Sequence, residues 1–478
     1  MVWVLSLAVG IVLADSAIVT LALPDVLQQF DAEVSQVAWV LTAYNLVLAL
    51  AAVPAARRSL TPFGAVRSAL AGVALFAAAS AVCGLATGLP MLIAARGAQA
   101  VGGALLISAA LELLVAATAS SNTGGRYWVR AGVFGAGIGP VAGGLLTEAL
   151  SWRAIFLVQV PLVLLAIPAI RVAGRRSVDP AWMAEAVTAA HPPSLSRADR
   201  PRVAANVALG LLSAALTAAL FLLVLLLIEG WQRTPVAAAL TVTIIPLAAL
   251  GAGTVARLAR TDTRSEAIAG AILIAGGLVA LALLPAAQLA WTLPGQVLVG
   301  LGLGLTVESL TAFALNDRVP RALQGGWTIA ARHLGIVAGL LLLTPIFVAD
   351  LSRTQTQAQQ SLTKLVLDAK LPATQKLALA GALQHQLRGE RGRMPDLAPA
   401  FASLTVAPAD EAATDRLHDA MDDQLRRAAT HAFQRAFLAA GLLAVLALIP
   451  ALLLRDAGSR TVDDRPEPDA PTLVRVPT

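Results

Sequence analysis

Twelve apolar runs, each near the roughly 20 residues a helix needs to cross lipid, constrain this chain more than any other feature of it. They fall at 2–23, 36–56, 65–86, 90–117, 127–149, 152–173, 203–229, 234–258, 265–285, 290–315, 322–349 and 432–454. Hydrocarbon offers the backbone no hydrogen-bond partner, so a spanning segment must be a helix or part of a closed barrel. These runs are continuous rather than alternating, which selects helices. Only 13% of the 478 residues are charged, against about 25% in soluble domains. The expected fold class is an all-α membrane protein: twelve transmembrane helices in two six-helix bundles, with a helical extracytoplasmic hairpin between spans 11 and 12. The opening stretch MVWVLSLAVG has no basic n-region and no small-residue cleavage site follows it, so it reads as a span rather than a removed leader.

The loops set the orientation. With the N-terminus inside, the inner loops hold Arg57 and Arg58, Arg126, Arg175 and Arg176, Arg260 and Arg264, and Arg318 and Arg321, while the outer loops after spans 1, 3 and 9 hold no Lys or Arg. That asymmetry places both termini in the cytoplasm and the chain in a cell (inner, cytoplasmic) membrane. Trp39, Trp152, Trp231 and Trp291 fall at expected outer ends and Trp3 and Trp128 at inner ends, as amphipathic indoles at the two interfaces would. Topology thus accounts for the net charge of +6, and no nucleic-acid partner is implied. The single cysteine, Cys83, lies in an apolar run, so neither a disulfide nor a metal framework is available.

Six regions follow: a first bundle at 1–173, a cytoplasmic linker at 174–202, spans 7–11 at 203–349, an extracytoplasmic insertion at 350–431, span 12 at 432–455 and a cytoplasmic tail at 456–478. The insertion carries ten basic and ten acidic side chains. Its helical spacing predicts extensions of spans 11 and 12 that meet as a hairpin, a candidate docking surface for an extracytoplasmic partner.

Charges inside spans carry the functional expectations. An Asp at a helix centre costs about 2.5 to 3.5 kcal/mol on insertion scales, so it must be paired, protonated or in a cavity. Asp15 stands nine residues before Pro24, about 13 Å below the outer end. Arg96 stands six residues past Pro90 on an oppositely running span, about 9 Å below the same face. Opposite charges at like depth make a proton-coupling pair or a static ion pair. In the second half, Glu308 lies about 12 Å, and Arg332 and His333 about 16–18 Å, above the inner face; Glu308 and His333 are further proton-coupling candidates, imidazole titrating near physiological pH. Tyr44, Asn45, Gln99, Gln159 and Arg332 are candidates for cavity or substrate contact. Glu112, nearer the inner end of span 4, reads as a partner for a loop arginine. Small residues at Gly132, Gly135, Gly139 and Gly143 share one face of span 5 and permit close helix packing, with Pro140 removing a helix hydrogen bond. GAGIGP (135–140) follows no strand, so it does not read as a nucleotide loop, and no G-x-x-x-x-G-K-[ST] sequence occurs, which argues against an ATP-driven pump.

Several stretches resemble, in order, the signatures of the drug:proton antiporter-2 branch of the major facilitator superfamily. LADSAIVTLALP (13–24) resembles its span-1 signature, WVLTAYNL (39–46) its span-2 opening, and RGAQAVGGA (96–104) its span-4 motif with Ala100 in place of a glycine. GAGIGPVAGG (135–144), which includes Gly144, and SWRAIFLVQVP (151–161), with Gln159 in place of Asn, resemble the antiporter motif and the entry to span 6; RVPRALQGGWTIAARHLGIVAG (318–339) continues the likeness. The resemblance implies a non-enzymatic secondary transporter that exports amphipathic or lipophilic small molecules by alternating access. No catalytic residues, metal or cofactor are implied; the proton gradient is the energy source, and the partners are a small-molecule substrate and the bilayer. Two departures stand out. The branch usually has fourteen spans, and the loop motif between spans 2 and 3 reads RRSLTPFG, with Thr61 where an Asp belongs. The insertion raises a lipid or glycolipid exporter as an alternative, and Thr61 raises a membrane scaffold or sensor that no longer transports.

Overall fold

A computed structural model describes residues 1–176, 200–259, 261–315, 321–369, 371–389, 397–402 and 411–454. Most of the expected linker and the whole tail at 456–478 lie outside the described residues. Twelve helices are long and apolar enough to cross a membrane, and no strand occurs among the described residues. Spans 1–6 are Val2–Gln29, Val34–Arg58, Phe63–Gly84, Leu89–Thr118, Thr123–Ala149 and Ala154–Arg175. Spans 7–12 are Arg202–Gly230, Pro235–Ala252, Thr263–Ala282, Leu289–Leu315, Ala322–Thr354 and Glu411–Leu452.

Local chemistry sets the ends and breaks. Thr61 Oγ1 accepts from the Gly64 N–H (3.0 Å) and starts span 3 with Pro62 at the first turn, so the loop residue that replaces an Asp serves as a helix cap. Ser120, Thr234 and Asp262 start spans 5, 8 and 9 in the same way. Such caps contribute about 1 kcal/mol each. Spans 6, 8 and 12 each break once, at Leu165, Thr243 and Ala447. Every break lies three residues before a proline, Pro168, Pro246 or Pro450, whose missing N–H and ring clash interrupt the ladder one turn back. Span 1, by contrast, runs through Pro24 to Gln29, past its expected end.

The packing repeats. Spans 1 and 5, 2 and 4, 3 and 4, and 3 and 6 lie against one another; adding six to each number gives 7 and 11, 8 and 10, 9 and 10, and 9 and 12, which also pack together. This is the pattern of two parallel structural repeats. It extends to single residues. A Cβ on Gly135 would fall on the Gly10 carbonyl, and one on Gly139 would lie 3.2 Å from the Ala14 oxygen. Gly335 meets Gly210, and Gly339 meets Ala214, in the same way. One constant shift in residue number relates all four contacts. Lipid tails are as apolar as leucine, so helix association rests on this close approach rather than on the hydrophobic effect. Gly143 continues the seam against Ile18, whereas Gly144 faces Pro235 and Ala239 of span 8.

The two bundles touch along spans 2 and 11 and along spans 5 and 8. At the end where the chain begins, Glu112 Oε1 accepts from the Ala322 N–H at the start of span 11 (3.0 Å). At the opposite end, Glu148 Oε2 accepts from the Val236 N–H at the start of span 8 (2.7 Å), and Gln28 donates to Glu229 (3.4 Å). Glu112 and Glu148 each sit at the positive end of a helix dipole and bridge the bundles.

Between spans 11 and 12 the expected helical extensions are present. One helix runs Arg321–Asp368 and another Glu411–Leu446, with Ala373–Gly389 and Ala398–Ala402 between them. An apolar seam of Leu362, Leu379, Leu417, Met421 and Leu425 joins them. At its base Phe347 stacks on Phe433 (4.3 Å between centroids), Arg435 reaches Asp350 (3.2 Å), and the Trp231 indole donates to Thr430 (3.0 Å). Trp231 is thus a buried anchor rather than an interface marker. So are Trp128, whose indole donates to the Ile107 carbonyl (2.9 Å), and Trp152, which is edge-on to Phe30 and Phe156. Only Trp3, Trp39 and Trp291 of the six expected interface indoles are exposed. Trp128 and Trp231 find hydrogen-bond partners for their one polar handle inside the protein, and Trp152, whose Nε1 is unpartnered, is held by its aromatic neighbours.

Candidate functional site

Five spans of the first bundle converge on one polar cluster. Span 1 supplies Asp15, span 2 Tyr44, span 3 Ser80 and Cys83, span 4 Arg96 and Gln99, and span 6 Gln159. Asp15 and Arg96 form an ion pair with both side chains at 0% exposure. The other carboxylate oxygen, Oδ1, accepts from Gln159 Nε2 (3.0 Å) and lies 3.4 Å from Gln99 Nε2. Arg96 also donates to Gln99 Oε1 (2.6 Å) and, through Nε, to the Val40 carbonyl (3.3 Å). Its guanidinium lies 4.0 Å from the centre of the Tyr44 ring, a cation–π contact. Gln99 Nε2 donates further to Ser80 Oγ (2.8 Å) and Gln159 Oε1 (3.1 Å). Tyr44 is held in place by its hydroxyl, which donates to the Val12 carbonyl (3.0 Å).

Two charges removed from water require both pairing and hydrogen bonds to every remaining polar atom. The cluster meets that condition at all atoms but one. Arg96 Nη2 is buried without a partner, an open donor position beside the carboxylate. The depths inferred from Pro24 and Pro90 bring Asp15 and Arg96 together as expected. Gln99 and Gln159 join that pair, and Asn45 bonds instead to Ser16 Oγ (3.1 Å) and the Leu41 carbonyl (2.8 Å). Tyr44, Asn45, Gln99 and Gln159 are all buried, and none is in the wall of the cavity between the bundles.

A small cavity of about 30 Å³ does lie between the bundles. Span 5 lines it with Trp128, Val129, Gly132 and Val133. Span 11 lines it with Thr328, Ile329, Arg332 and His333. The two quartets match position for position under the shift that relates the glycine contacts, so the cavity straddles the axis between the repeats. Leu13, two residues from Asp15, lines it too, with Leu209, Val307 and Thr311, and would touch a Cβ on Gly132 (2.8 Å). His333 is buried and its Nδ1 has no partner. Glu308, next to Val307 of the lining, is half-buried and is not itself in the wall; the structure brings it neither to His333 nor to Asp15. No group of three or more His, Cys, Asp or Glu suited to a metal occurs among the described residues. Sequence reasoning passed over Ser80 and Cys83 in the polar cluster and Trp128 in the cavity; a helical-face plot of span 3 against span 4 would have found the first two.

The family model described as Major Facilitator Superfamily matches residues 5–340. The chain belongs to this superfamily. It is therefore a multi-pass membrane protein of a transporter family and not an enzyme. The lincomycin resistance protein of Streptomyces lincolnensis is 28% identical over 396 residues, 70% of this chain and 82% of that protein. The multidrug resistance protein Stp of Mycobacterium tuberculosis (strain CDC 1551 / Oshkosh) is 35% identical over 159 residues, 33% of this chain and 29% of Stp. The chain thus spans less than a third of the length of Stp. Among solved structures, a bacterial homolog to the human lysosomal transporter Spinster, inward-facing and unoccupied, shares the superfamily fold at a TM-score of 0.59 and 13% identity, over 96% of this chain and 98% of that one.

Proposed function

We propose that this superfamily member is a proton-coupled exporter of amphipathic or lipophilic small molecules, in which the two bundles rock about the central cavity and Asp15 carries the proton. The observation that carries the reading is the Asp15–Arg96 pair, fully buried within the membrane and ringed by neutral hydrogen-bonding side chains. Ionisable groups are kept inside spans for function far more often than for stability. The names of the relatives, which refer to drug and antibiotic resistance, support export as the direction. In this scheme the paired state is the deprotonated one; rocking exposes Asp15 to water, protonation releases Arg96, and the cycle runs on the proton gradient without a cofactor. The glycine seam of spans 1 and 5 keeps Asp15 and the cavity wall on one rigid unit. The arginine-rich loops support termini on the cytoplasmic side of the cell membrane, which puts the 350–431 hairpin outside, available to an extracytoplasmic partner.

Asp15→Asn tests the reading. In everted vesicles, normalised to folded protein, proton-driven efflux should disappear while the variant still assembles. Unchanged efflux would remove Asp15 from the mechanism.

A further inference from the structure

The central cavity has a charge of its own. Arg332 and His333 face it from span 11, while the positions related to them by the internal repeat, Gly132 and Val133, face it from span 5. One wall is therefore cationic and polar, and the opposite wall is apolar. No carboxylate lines the cavity, and none pairs with Arg332 among the described residues. His333 adds a nine-tenths-buried ring whose Nδ1 is unpartnered.

We infer that this cavity, when rocking of the two bundles widens it, selects amphipathic organic anions, an aromatic or alkyl body carrying a carboxylate or sulfonate, and disfavours lipophilic cations. Arg332 presents a planar fork suited to bidentate recognition of a carboxylate or sulfonate, and His333 Nδ1 stands beside it as a second polar contact. The aromatic body lies along Trp128 and Val133 on the facing wall. In a low-dielectric cleft between two bundles a fixed cation repels a cationic ligand and attracts an anionic one much more strongly than it would in water. The Asp15–Arg96 pair does not offset this, because both its members are sealed inside the first bundle. The inference rests on the transport reading for its purpose, since it names the substrate class of the proposed exporter, but the binding itself is measurable without transport.

The test is equilibrium binding to the purified full chain in detergent, with 2-naphthoate, its uncharged methyl ester and tetraphenylphosphonium as probes. Wild-type protein should bind naphthoate at least tenfold more tightly than the ester and should bind tetraphenylphosphonium least. Arg332→Gln should bring naphthoate down to the level of the ester without weakening the ester, and Arg332→Lys should keep most of the preference. An equal or stronger affinity for tetraphenylphosphonium, binding of neither naphthoate nor ester, or an unchanged acid-to-ester ratio in Arg332→Gln would overturn the inference. If Arg332→Gln does not fold, the acid-to-ester ratio of the wild type decides alone. Absence of proton-driven transport by the wild-type protein, with its acid preference intact, would defeat the proposed function and leave this site standing.

Discussion

A double-mutant cycle on Asp15 and Arg96 weighs the pair on which the proposed energising step depends. Removing one member of a buried ion pair costs about 3–5 kcal/mol, because a charge is left without a partner. The structure orders the two single variants. In Asp15→Asn, Arg96 keeps the Gln99 and Val40 oxygens at 2.6 and 3.3 Å and the face of Tyr44 at 4.0 Å. A desolvated cation–π contact offsets about 2 kcal/mol, so this variant should sit at the low end, about 3 kcal/mol. In Arg96→Met, Asp15 keeps only the Gln159 and Gln99 amides at 3.0 and 3.4 Å, and the cost should approach about 5 kcal/mol. The double variant, with neither charge, should cost less than the worse single variant, giving a coupling of about 3 kcal/mol or more. Unfolding of the purified protein in mixed micelles by SDS titration reads all four corners. A coupling under about 0.5 kcal/mol, the usual scatter for independent sites, would show that the two side chains do not sense each other and would refute the reasoning.

Two further perturbations address the scaffold. Gly135→Val and Gly335→Val each force a side chain onto a backbone carbonyl of the facing span. Each should cost about 1–3 kcal/mol in the same SDS titration, with transport lost more completely for Gly135→Val because its span adjoins Asp15. Glu112→Gln and Glu148→Gln weaken the two carboxylate contacts that join the bundles at opposite ends. With about 0.3–1 kcal/mol per contact, spin-label distances across each end should show opposite population shifts of a few fold, and shifts of the same sign would dismiss both as closures.

Much of this was legible because lipid allows so few solutions. Backbone satisfaction forces each long apolar run into a helix, so the span count followed from the sequence alone, and depth arithmetic from Pro24 and Pro90 brought Asp15 level with Arg96. What stayed hidden depends on rotation about each helix axis. Gln99 and Gln159 were equally suited to a cavity or to a buried carboxylate, and only the packing of spans 3, 4 and 6 decides for the carboxylate. Trp128, Trp152 and Trp231 sit near helix ends, where an indole serves lipid or protein alike. Glu112 also accepts from the Ala322 N–H, a contact to a backbone group that no charge pattern reveals. The internal repeat escaped notice because what repeats is a set of small residues at helix crossings, without a shared motif.

That repeat also shows where the two halves differ. Under its shift, Asp15 and Arg96 correspond to Ala215 and Gln296, so the second bundle has kept the place of the ion pair without either charge. Gln296 is fully buried there, bonded to Thr292 (2.8 Å) with its own Oε1 unpartnered. Conversely, the cavity's cation comes from the second bundle and its counterpart in the first is Gly132. In the proposed scheme a proton taken up in one bundle must therefore be felt by a ligand held mainly by the other, and the two sites meet on span 1. Asp15 stands two residues from Leu13, which lines the cavity against Gly132. Breaking the ion pair frees span 1 from spans 4 and 6 while the glycine seam still ties it to span 5, so the wall formed by spans 1 and 5 moves together against Arg332. Proton and substrate then bias the same rigid element from its two faces, which is what a coupling free energy between them requires.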